Sequence, residues 1–352
     1  MVEFAGWSMP VQYTSIVAEH HATRTGVGLF DISHMGRLRF DGPGAAVFLD
    51  HLLTRRVTDQ APGQIRYALV TNEQGGILDD VLVYHLQDAA GGSYWLLVVN
   101  ASNREKIVDW ILPRLVSVEN VRFTDATADC AMLAVQGPRA LELAQPLVDV
   151  DLAAMKYYTG AETRIAGHRG IASRTGYTGE DGCELIVGAK AVLSVWESLV
   201  RGGAVPAGLG CRDTLRLEAA MPLYGHELSE ETDPFAAGLD FAVDLEGRSF
   251  PGRDALVRAK ADTGRPQRVG LELAGPRLPR AGFDVFADDR QIGRTTSGTF
   301  SPTLEKPIAM AFVEREFAAP GTQVAIDIRG RQEPARVVKL PFYRRGRKGN
   351  AP

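Results

Sequence analysis

The chain has 352 residues, and at roughly 100–200 residues per domain this length predicts two or three domains. The formal net charge of -4 and the pI near 6.0 exclude a globally basic protein of the kind that binds nucleic acid or an anionic membrane surface. Hydrophobic residues make up 45% of the chain, enough for a buried core.

Cysteine usage and the absence of membrane signals predict a cytoplasmic protein. The three cysteines Cys130, Cys183 and Cys211 are widely spaced and lie among apolar or small neighbours, so we expect reduced, buried thiols. No apolar run reaches the roughly 18 residues that a membrane span needs. The first seven residues are acidic and aromatic, unlike an export signal.

The first half of the chain mixes helical and strand patterns. A helix is predicted at 45–53, after a Gly-Pro-Gly turn, and strands are predicted at 77–86 and 93–100. A second helix is predicted at about 102–116, because apolar residues recur there at helical spacing. The predicted buried face of that helix consists of Ile107, Val108, Ile111, Leu112 and Leu115.

Further helices are predicted directly after Gln136-Gly137-Pro138, at about 190–201 and at 212–221. The segment Ala259–Pro266 is charged, contains Gly and Pro, and is the predicted linker. From about Arg268 onward, short β-rich runs alternate with turn residues, which is typical of a small antiparallel barrel. The predicted fold class is therefore α+β, with an all-β C-terminal domain.

Several common catalytic signatures are missing from the sequence. It contains no GxGxxG after a strand, no Walker-type phosphate loop, no GxSxG elbow and no zinc-like Cys/His spacing. The adjacent His20 and His21 point in different directions, and for each of the other, scattered histidines we expect a satisfied or exposed side chain. We therefore predict neither a metal enzyme nor a nucleophilic hydrolase.

Asp79 and Asp80 lie inside the otherwise apolar strand pattern 77–84, which directly follows Gly75-Gly76. Burying a carboxylate without a partner is costly. Because successive strand residues point to opposite faces, one carboxylate can be solvated while the other enters a cavity. The segment alone leaves open a second interpretation, in which the pair merely flanks a turn.

Two other polar clusters stand out. The segment 174–184 contains three glycines within seven residues and predicts a tight loop with Tyr177 near its centre. Arg212 and Arg216 are one helical turn apart and are predicted to share a helix face. Taken alone, the loop is compatible with a simple turn and the arginines with salt bridges inside a helix.

Several sequence motifs follow one another in a fixed order along nearly the whole chain. They are FAGW at 4–7, GLFDISHMG at 28–36, GGILDD at 75–80, VVNA at 98–101, QGP at 136–138, RTGYTGEDGCE at 174–184, TSGTFSP at 296–302 and KLPFY at 339–343. In this order they resemble the aminomethyltransferase (T-protein) family of the glycine cleavage system.

The resemblance implies three domains arranged like a clover leaf around a central folate channel. Residues 1–265 would form two intertwined domains, about 1–42 with 137–225 and 43–136 with 226–258, and residues 266–352 the barrel. It also implies transfer of the methylene of an aminomethyl group, carried on the lipoyl arm of a partner H-protein, to tetrahydrofolate, with release of ammonia.

The resemblance further assigns site residues by matching positions. It makes Asp80, the second aspartate of GGILDD, the catalytic carboxylate. Basic residues near the C-terminus would contact the H-protein or the glutamate tail of folate. These residues are Arg344, Arg345 and Lys348, in the segment Arg344–Lys348. The residues that it implies bind or line the folate site are Tyr67, Leu82, Tyr84, Asn100, Tyr177, Glu184, Arg216, Phe241 and Arg344.

Three departures from the family pattern affect substrate details. Relatives usually carry a longer segment before FAGW, so part of the first helix is expected to be missing. Phe241 stands where tryptophan is usual, which keeps a ring but removes its N–H donor. His226-Glu227 stands where Asn-Asp is usual in the segment 224–227.

Two other functions would use the same fold, since fold does not fix function. One is a folate-dependent demethylase of a small sulfonium or N-methyl compound, which needs no H-protein. The other is a folate-binding module that assists iron–sulfur assembly through a reactive cysteine. The stretch 225–231, where that motif would fall, contains no cysteine, which argues against the second.

Overall fold

A computed structural model describes residues 1–116 and 118–346. Seven α-helices occur in these residues, and most of them lie where the sequence pattern predicts helices. Their bounds are α1 Ile16–Thr25, α2 Ala45–Leu52, α3 Arg104–Leu115, α4 Ala140–Ala144, α5 Val192–Arg201, α6 Leu209–Glu218 and α7 Arg253–Ala261. None of them has both the length and the apolar character needed to cross a membrane.

The N-terminal part contains a short hairpin and two sheets whose strand order differs from the order of the strands in the sequence. The hairpin is β1 Val2–Phe4 with β2 Trp7–Met9. A six-stranded sheet is formed by β3 Gly28–Asp31, β9 Cys130–Gln136, β10 Gly160–Ile165, β11 His168–Ser173, β12 Gly182–Gly188 and β13 Val205–Pro206. A five-stranded sheet is formed by β4 Gly36–Asp41, β5 Ile65–Thr71, β6 Ile77–Gln87, β7 Ser93–Val99 and β8 Arg122–Asp125.

The C-terminal part is a closed six-stranded antiparallel barrel, which confirms the sequence prediction. Its strands are β14 Gln267–Leu273, β15 Asp284–Ala287, β16 Arg290–Ser301, β17 Lys306–Val313, β18 Gln323–Asp327 and β19 Gln332–Val338. Closure leaves no unpaired strand edge, and the barrel encloses its own apolar core.

Strand pairing differs from the predicted division of the chain at two strands. β4 pairs with β7 and β8, although residues up to 42 were expected to belong with 137–225. β9 pairs with β12 and β3, although residues 43–136 were expected to form the other domain. The chain thus crosses between the two sheets shortly after β3 and shortly before β9.

Three helix details correct the sequence prediction. Leu112 is 46% exposed, so the buried face of α3 is narrower than predicted, with Ile107 and Ile111 at its centre. α6 begins at Leu209 rather than 212, and Ala220 has a left-handed φ of 55° just past its end. α7 continues to Ala261 and therefore occupies the first part of the predicted linker.

The two sheets pack against each other through an apolar layer that includes Phe30, Tyr84 and Leu96. The remaining face of each sheet is covered by helices and has its own core. The barrel contacts this body mainly through α6, β16 and β17. A cavity remains where the two sheets, α6 and the barrel meet.

Candidate active site

The cavity has a volume of about 1000 Å³ and receives side chains from all three parts of the molecule. The five-stranded sheet contributes Asp80, the six-stranded sheet contributes Glu184, and the barrel contributes Arg268. The predicted site residues that line it are Tyr67, Asp80, Leu82, Asn100, Tyr177, Glu184, Arg216 and Phe241. The structure therefore brings together eight predicted residues from separate segments between positions 67 and 241.

Asp80 lies on the cavity-facing side of β6. The phenol of Tyr67 donates a hydrogen bond to its Oδ2 at 3.0 Å, and Asn100 Nδ2 donates to its Oδ1 at 2.6 Å. Among the described residues, no Lys, Arg or His forms an ion pair with it. Burial raises the pKa of Asp80 above its ordinary value, partly offset by these hydrogen bonds. The site thus presents one carboxylate without a counter-charge.

Asp79 lies on the opposite face of β6, as strand alternation predicts, but it is not solvated. Its side chain is fully buried and is absent from the cavity wall. Asn100 and Asn103 donate hydrogen bonds to it. The expectation that one of the two carboxylates would face water is therefore wrong, and amide donors replace water around Asp79.

Aromatic rings form the wall beside Asp80. Tyr67 and Phe241 are stacked with centroids 5.8 Å apart and an interplanar angle of 28°. Phe241 is 61% exposed, so this pair stands at an opening of the cavity. A flat ligand that enters here would meet ring faces first.

The predicted tight loop forms between β11 and β12. Gly179 has φ of 81°, a conformation that favours glycine, and a side chain at Gly176 would collide with the Gln136 side chain. Tyr177 donates its hydroxyl hydrogen to Pro222 O, which turns its ring towards the cavity. Glu184 accepts a hydrogen bond from Thr175 and is almost fully buried, and burial raises its pKa.

The two arginines of α6 differ in how far they are satisfied. Arg216 is 1% exposed and forms ion pairs with Asp213 at 2.8 Å and Glu227 at 3.0 Å. Arg212 lies 4.7 Å from the centroid of the Tyr177 ring, and its buried Nη1 has no hydrogen-bond partner among the described residues. Of these two arginines, Arg212 is the one that keeps a guanidinium N–H free for a ligand; the sequence reasoning noted it but did not select it.

His34 is a second cavity residue that the sequence reasoning missed. It is 4% exposed, and its Nδ1 has no hydrogen-bond partner in the part of the chain that is described. Burial, together with the nearby charges of Arg212 and Arg37, lowers its pKa to about 3, so the imidazole is neutral. The expectation that each isolated histidine is satisfied or exposed is wrong at this position.

Two predicted site residues do not lie at the cavity wall. Tyr84 shares the face of Asp80 but lies further along β6; it is fully buried, with its hydroxyl 3.4 Å from Ser173 Oγ at the end of β11. Arg344 is exposed and donates to Leu340 O at 3.3 Å. Its contact with a ligand or partner stays a prediction. Arg347 and Lys348 lie outside the described residues.

The structure shows where His226 and Glu227 lie, the two residues that stand in place of the usual Asn-Asp. Glu227 is fully buried and accepts hydrogen bonds from Arg216 and Leu223 N, so it fixes the loop after α6. His226 is exposed at the cavity rim, with Nδ1 2.8 Å from Thr296 O. No group of three or more His, Cys, Asp or Glu able to hold a metal ion occurs among the described residues.

Comparison with known proteins identifies the family. The family model of the GCVT N-terminal domain matches residues 1–247. The family model of the glycine cleavage T-protein C-terminal barrel domain matches residues 267–344. The chain belongs to the glycine cleavage T-protein family. The family resemblance found in the sequence is thereby confirmed.

Members of the T-protein family from several bacteria are similar over almost the full length. The aminomethyltransferase of Rubrobacter xylanophilus is 48% identical over 348 residues, covering 99% of this chain and 91% of the relative. That of Streptomyces avermitilis is 47% identical over 354 residues, covering 98% and 94%. These matches confirm the prediction of an aminomethyltransferase enzyme of the glycine cleavage system.

A solved T-protein structure has the same fold. The glycine cleavage system aminomethyltransferase T from Bartonella henselae superimposes with a TM-score of 0.90 at 32% identity, covering 97% of this chain and 93% of that chain. This agreement extends across both sheets and the barrel. The predicted α+β architecture around a central cavity is therefore confirmed.

Proposed function

We propose that this T-protein family member transfers the methylene of an aminomethyl group, carried on the lipoyl arm of an H-protein, to tetrahydrofolate with release of ammonia. The observation that carries the proposal is the Asp80 carboxylate, which lies at the wall of a cavity of about 1000 Å³ and has no cationic partner within the described part of the chain. Tetrahydrofolate supplies the nitrogens that accept the carbon.

The residues present fit a pterin. A flat heterocycle with donors and acceptors on its edge needs ring faces and a few convergent polar groups. Tyr67, Phe241 and Tyr177 provide the faces. Glu184 can accept hydrogen bonds from ring N–H groups, and the unpaired Nη1 of Arg212 can donate to a ring acceptor. An orphaned buried donor beside a buried acid is the expected signature of such a ligand site.

Asp80 would act by position and charge rather than by covalent chemistry. Tyr67 and Asn100 fix its two oxygens, so the carboxylate can orient the attacking nitrogen and stabilise the positive charge that develops on it. Positioning of this kind is worth up to about 7–11 kcal/mol. Stabilisation by a preorganised charge in a site that excludes water adds to this.

A direct assay tests the proposed function. The purified protein is incubated with tetrahydrofolate and either aminomethylated lipoyl H-protein or small sulfonium and N-methyl donors, and methylenetetrahydrofolate and ammonia are measured. We expect both products with the H-protein and neither with the small donors. Demethylation of a small donor without ammonia release would instead establish the demethylase alternative.

The basic residues near the C-terminus give a prediction about the H-protein. Arg344 and Arg345 are exposed, and Arg345 Nη1 lies 3.3 Å from Asp181 on the glycine-rich loop. H-proteins are generally acidic, so reversing both charges should raise the apparent KM for H-protein by roughly three- to tenfold, with a smaller change in turnover number. Steady-state kinetics with varied H-protein concentration measure this.

The matched control is Arg201→Glu, which reverses an exposed arginine at the end of α5 that pairs with Glu197 of the same helix. It should leave the apparent KM unchanged. An unchanged KM in the Arg344/Arg345 variant would remove these residues from the interface. Added salt should weaken binding to the wild type more than to the variant.

A further inference from the structure

Asp79 is a buried acid that the proposed mechanism leaves without a role. Asn100 N lies 3.0 Å from its Oδ2, Asn100 Nδ2 lies 2.8 Å from its Oδ1, and Asn103 Nδ2 lies 2.6 Å from its Oδ1. Its side chain is fully buried, and no basic residue among those described pairs with it. A buried carboxyl held only by amides calls for an account of its charge.

Asn100 connects Asp79 to the reaction site. Its Nδ2 lies 2.8 Å from Asp79 Oδ1 and 2.6 Å from Asp80 Oδ1. A side-chain amide has two N–H donors, so both are used on the two acids. Two carboxyl groups therefore share one nitrogen, and among the described residues neither forms an ion pair with Lys, Arg or His.

Such a pair does not hold two negative charges readily. Burial disfavours each charged form, and the charge of one carboxylate raises the proton affinity of the other. Asp80, which faces the cavity and accepts from Tyr67, is the member that ionises first. Burial and the charge of Asp80 raise the pKa of Asp79 to about 8.

The other groups around the pair do not neutralise it. Tyr67, Tyr158 and Tyr177 approach from the cavity side, and the pKa of each is raised by burial. Tyr224 approaches from the loop after α6; its hydroxyl accepts a hydrogen bond from Lys106, which also pairs with Glu230. The ammonium group of Lys106 is thus engaged with Tyr224 and Glu230.

We propose that Asp79 is a positioning residue that holds a proton beside the ionised Asp80, so that the pair carries one negative charge and Asn100 stays between the two acids. Its consequence for transfer rests on the proposed function. Asn103 can supply the acceptor for the Asp79 proton, because amide oxygen and nitrogen positions are interchangeable by a flip. The 2.6 Å contact is within the usual range of an O–H···O hydrogen bond.

Unfolding measured against pH tests the proton directly. The unfolded chain loses the Asp79 proton near its ordinary value of 3.8, whereas the folded protein keeps it to about 8. Wild type should therefore lose stability relative to Asp79→Asn as pH rises. The unfolding constant of wild type divided by that of Asp79→Asn should increase by up to about tenfold per pH unit between about pH 5 and 7. This ratio should level off above about pH 8.

The matched control is Asp125→Asn, which removes a carboxylate from β8 of the same sheet, where Asp125 pairs with Arg104 at 2.8 Å. Burial alone would raise the pKa of Asp125, but hydrogen bonds from Thr127 and Arg104 outweigh burial and lower it, so this carboxylate is ionised in both the folded and the unfolded chain above about pH 5. The ratio of the unfolding constants of wild type and this variant should therefore be flat between about pH 5 and 7. The wild-type protein provides a second measurement, since a protonated carboxylic acid has its own infrared carbonyl band, which should be present at neutral pH and disappear above about pH 9.

The transfer assay adds a readout that a purely structural role would not change. We expect the turnover number of wild type to fall above about pH 8, and the turnover number of Asp79→Asn, taken relative to its own value at pH 7, to lack this fall. A flat stability ratio between about pH 5 and 7, or the absence of the infrared band at neutral pH, overturns the proposal. A rising ratio in a protein that performs no transfer supports the proton on Asp79 while refuting the proposed function.

Discussion

Replacing Asp80 with asparagine is expected to leave a folded protein whose turnover number is about 10²–10³-fold lower. The amide has nearly the same shape as the carboxylate, so the strand pairing of β6 should persist. It cannot stabilise a positive charge on the attacking nitrogen, and its NH₂ group faces the donors of Tyr67 or Asn100, which now lack an acceptor. Single-turnover formation of methylenetetrahydrofolate measures the effect.

The control is Asp125→Asn, which removes a carboxylate from β8 of the same sheet. Asp125 pairs with Arg104 at 2.8 Å and does not line the cavity, so its variant should keep the wild-type turnover number. Thermal unfolding of both variants separates folding from catalysis. A near-wild-type rate for Asp80→Asn would contradict the role assigned to this carboxylate.

The elements that the sequence predicted well are those that depend on local patterns. β6 and β7 follow from apolar runs between turn residues, and the barrel follows from short strands at regular spacing. The Gly176–Gly179 loop follows from residues that tolerate unusual backbone conformations. Each of these signals lies within about ten residues of chain, so no tertiary information is needed.

Where α6 begins illustrates why other features could not be predicted. The residue before the helix, Gly208, donates its backbone N–H to Glu19 Oε2 at 2.9 Å, a contact between residues 189 positions apart. That contact fixes the start of the helix, and no local pattern in the sequence near 209 indicates this start. Strand membership of β4 and β9 likewise depends on pairing between distant segments.

The candidate site shows the same division. Asp80 and Tyr177 stood out because acids and glycines are unusual in an apolar strand and in a short span of chain. Arg212 and Arg216 look alike in sequence, and they are distinguished by their partners: Asp213 and Glu227 pair with Arg216, whereas Nη1 of Arg212 has no hydrogen-bond partner among the described residues. Burial and two neighbouring arginines lower the pKa of His34 and keep its imidazole neutral. No local sequence pattern shows this.

Replacing Glu218 with alanine is expected to lower the free energy of unfolding by about 3–5 kcal/mol at neutral pH. Glu218 ends α6, is fully buried, and joins α1 to the barrel: Arg24 Nη2 lies 2.8 Å from its Oε2, and Thr303 donates to it from both its backbone and its hydroxyl group. Its loss leaves these donors and part of the Arg24 charge uncompensated. Chemical denaturation of wild type and variant measures the difference.

The effect should depend on pH in a defined direction. Burial alone would raise the pKa of Glu218, but hydrogen bonds from His20 and Ser301 and the charge of Arg24 lower it to about 2. A lowered pKa gives stability that is present above the unfolded value near 4.5 and lost as pH falls towards 2. The difference between the unfolded pKa near 4.5 and the folded pKa of about 2 corresponds to about 3 kcal/mol of stability. The gap between wild type and Glu218→Gln should therefore close over that interval.

Glu180→Gln separates the charge of Glu218 from a general loss of acids around Arg24. Glu180 also pairs with Arg24, at 3.0 Å, and is nearly as buried. In its absence Arg24 keeps Glu218 as its partner, so the loss of stability should be clearly smaller. If instead Glu218→Gln lost the same stability at pH 7 and at pH 2, the stabilisation would come from packing and neutral hydrogen bonds, because the contribution of the carboxylate charge is lost as the folded protein takes up the proton near pH 2.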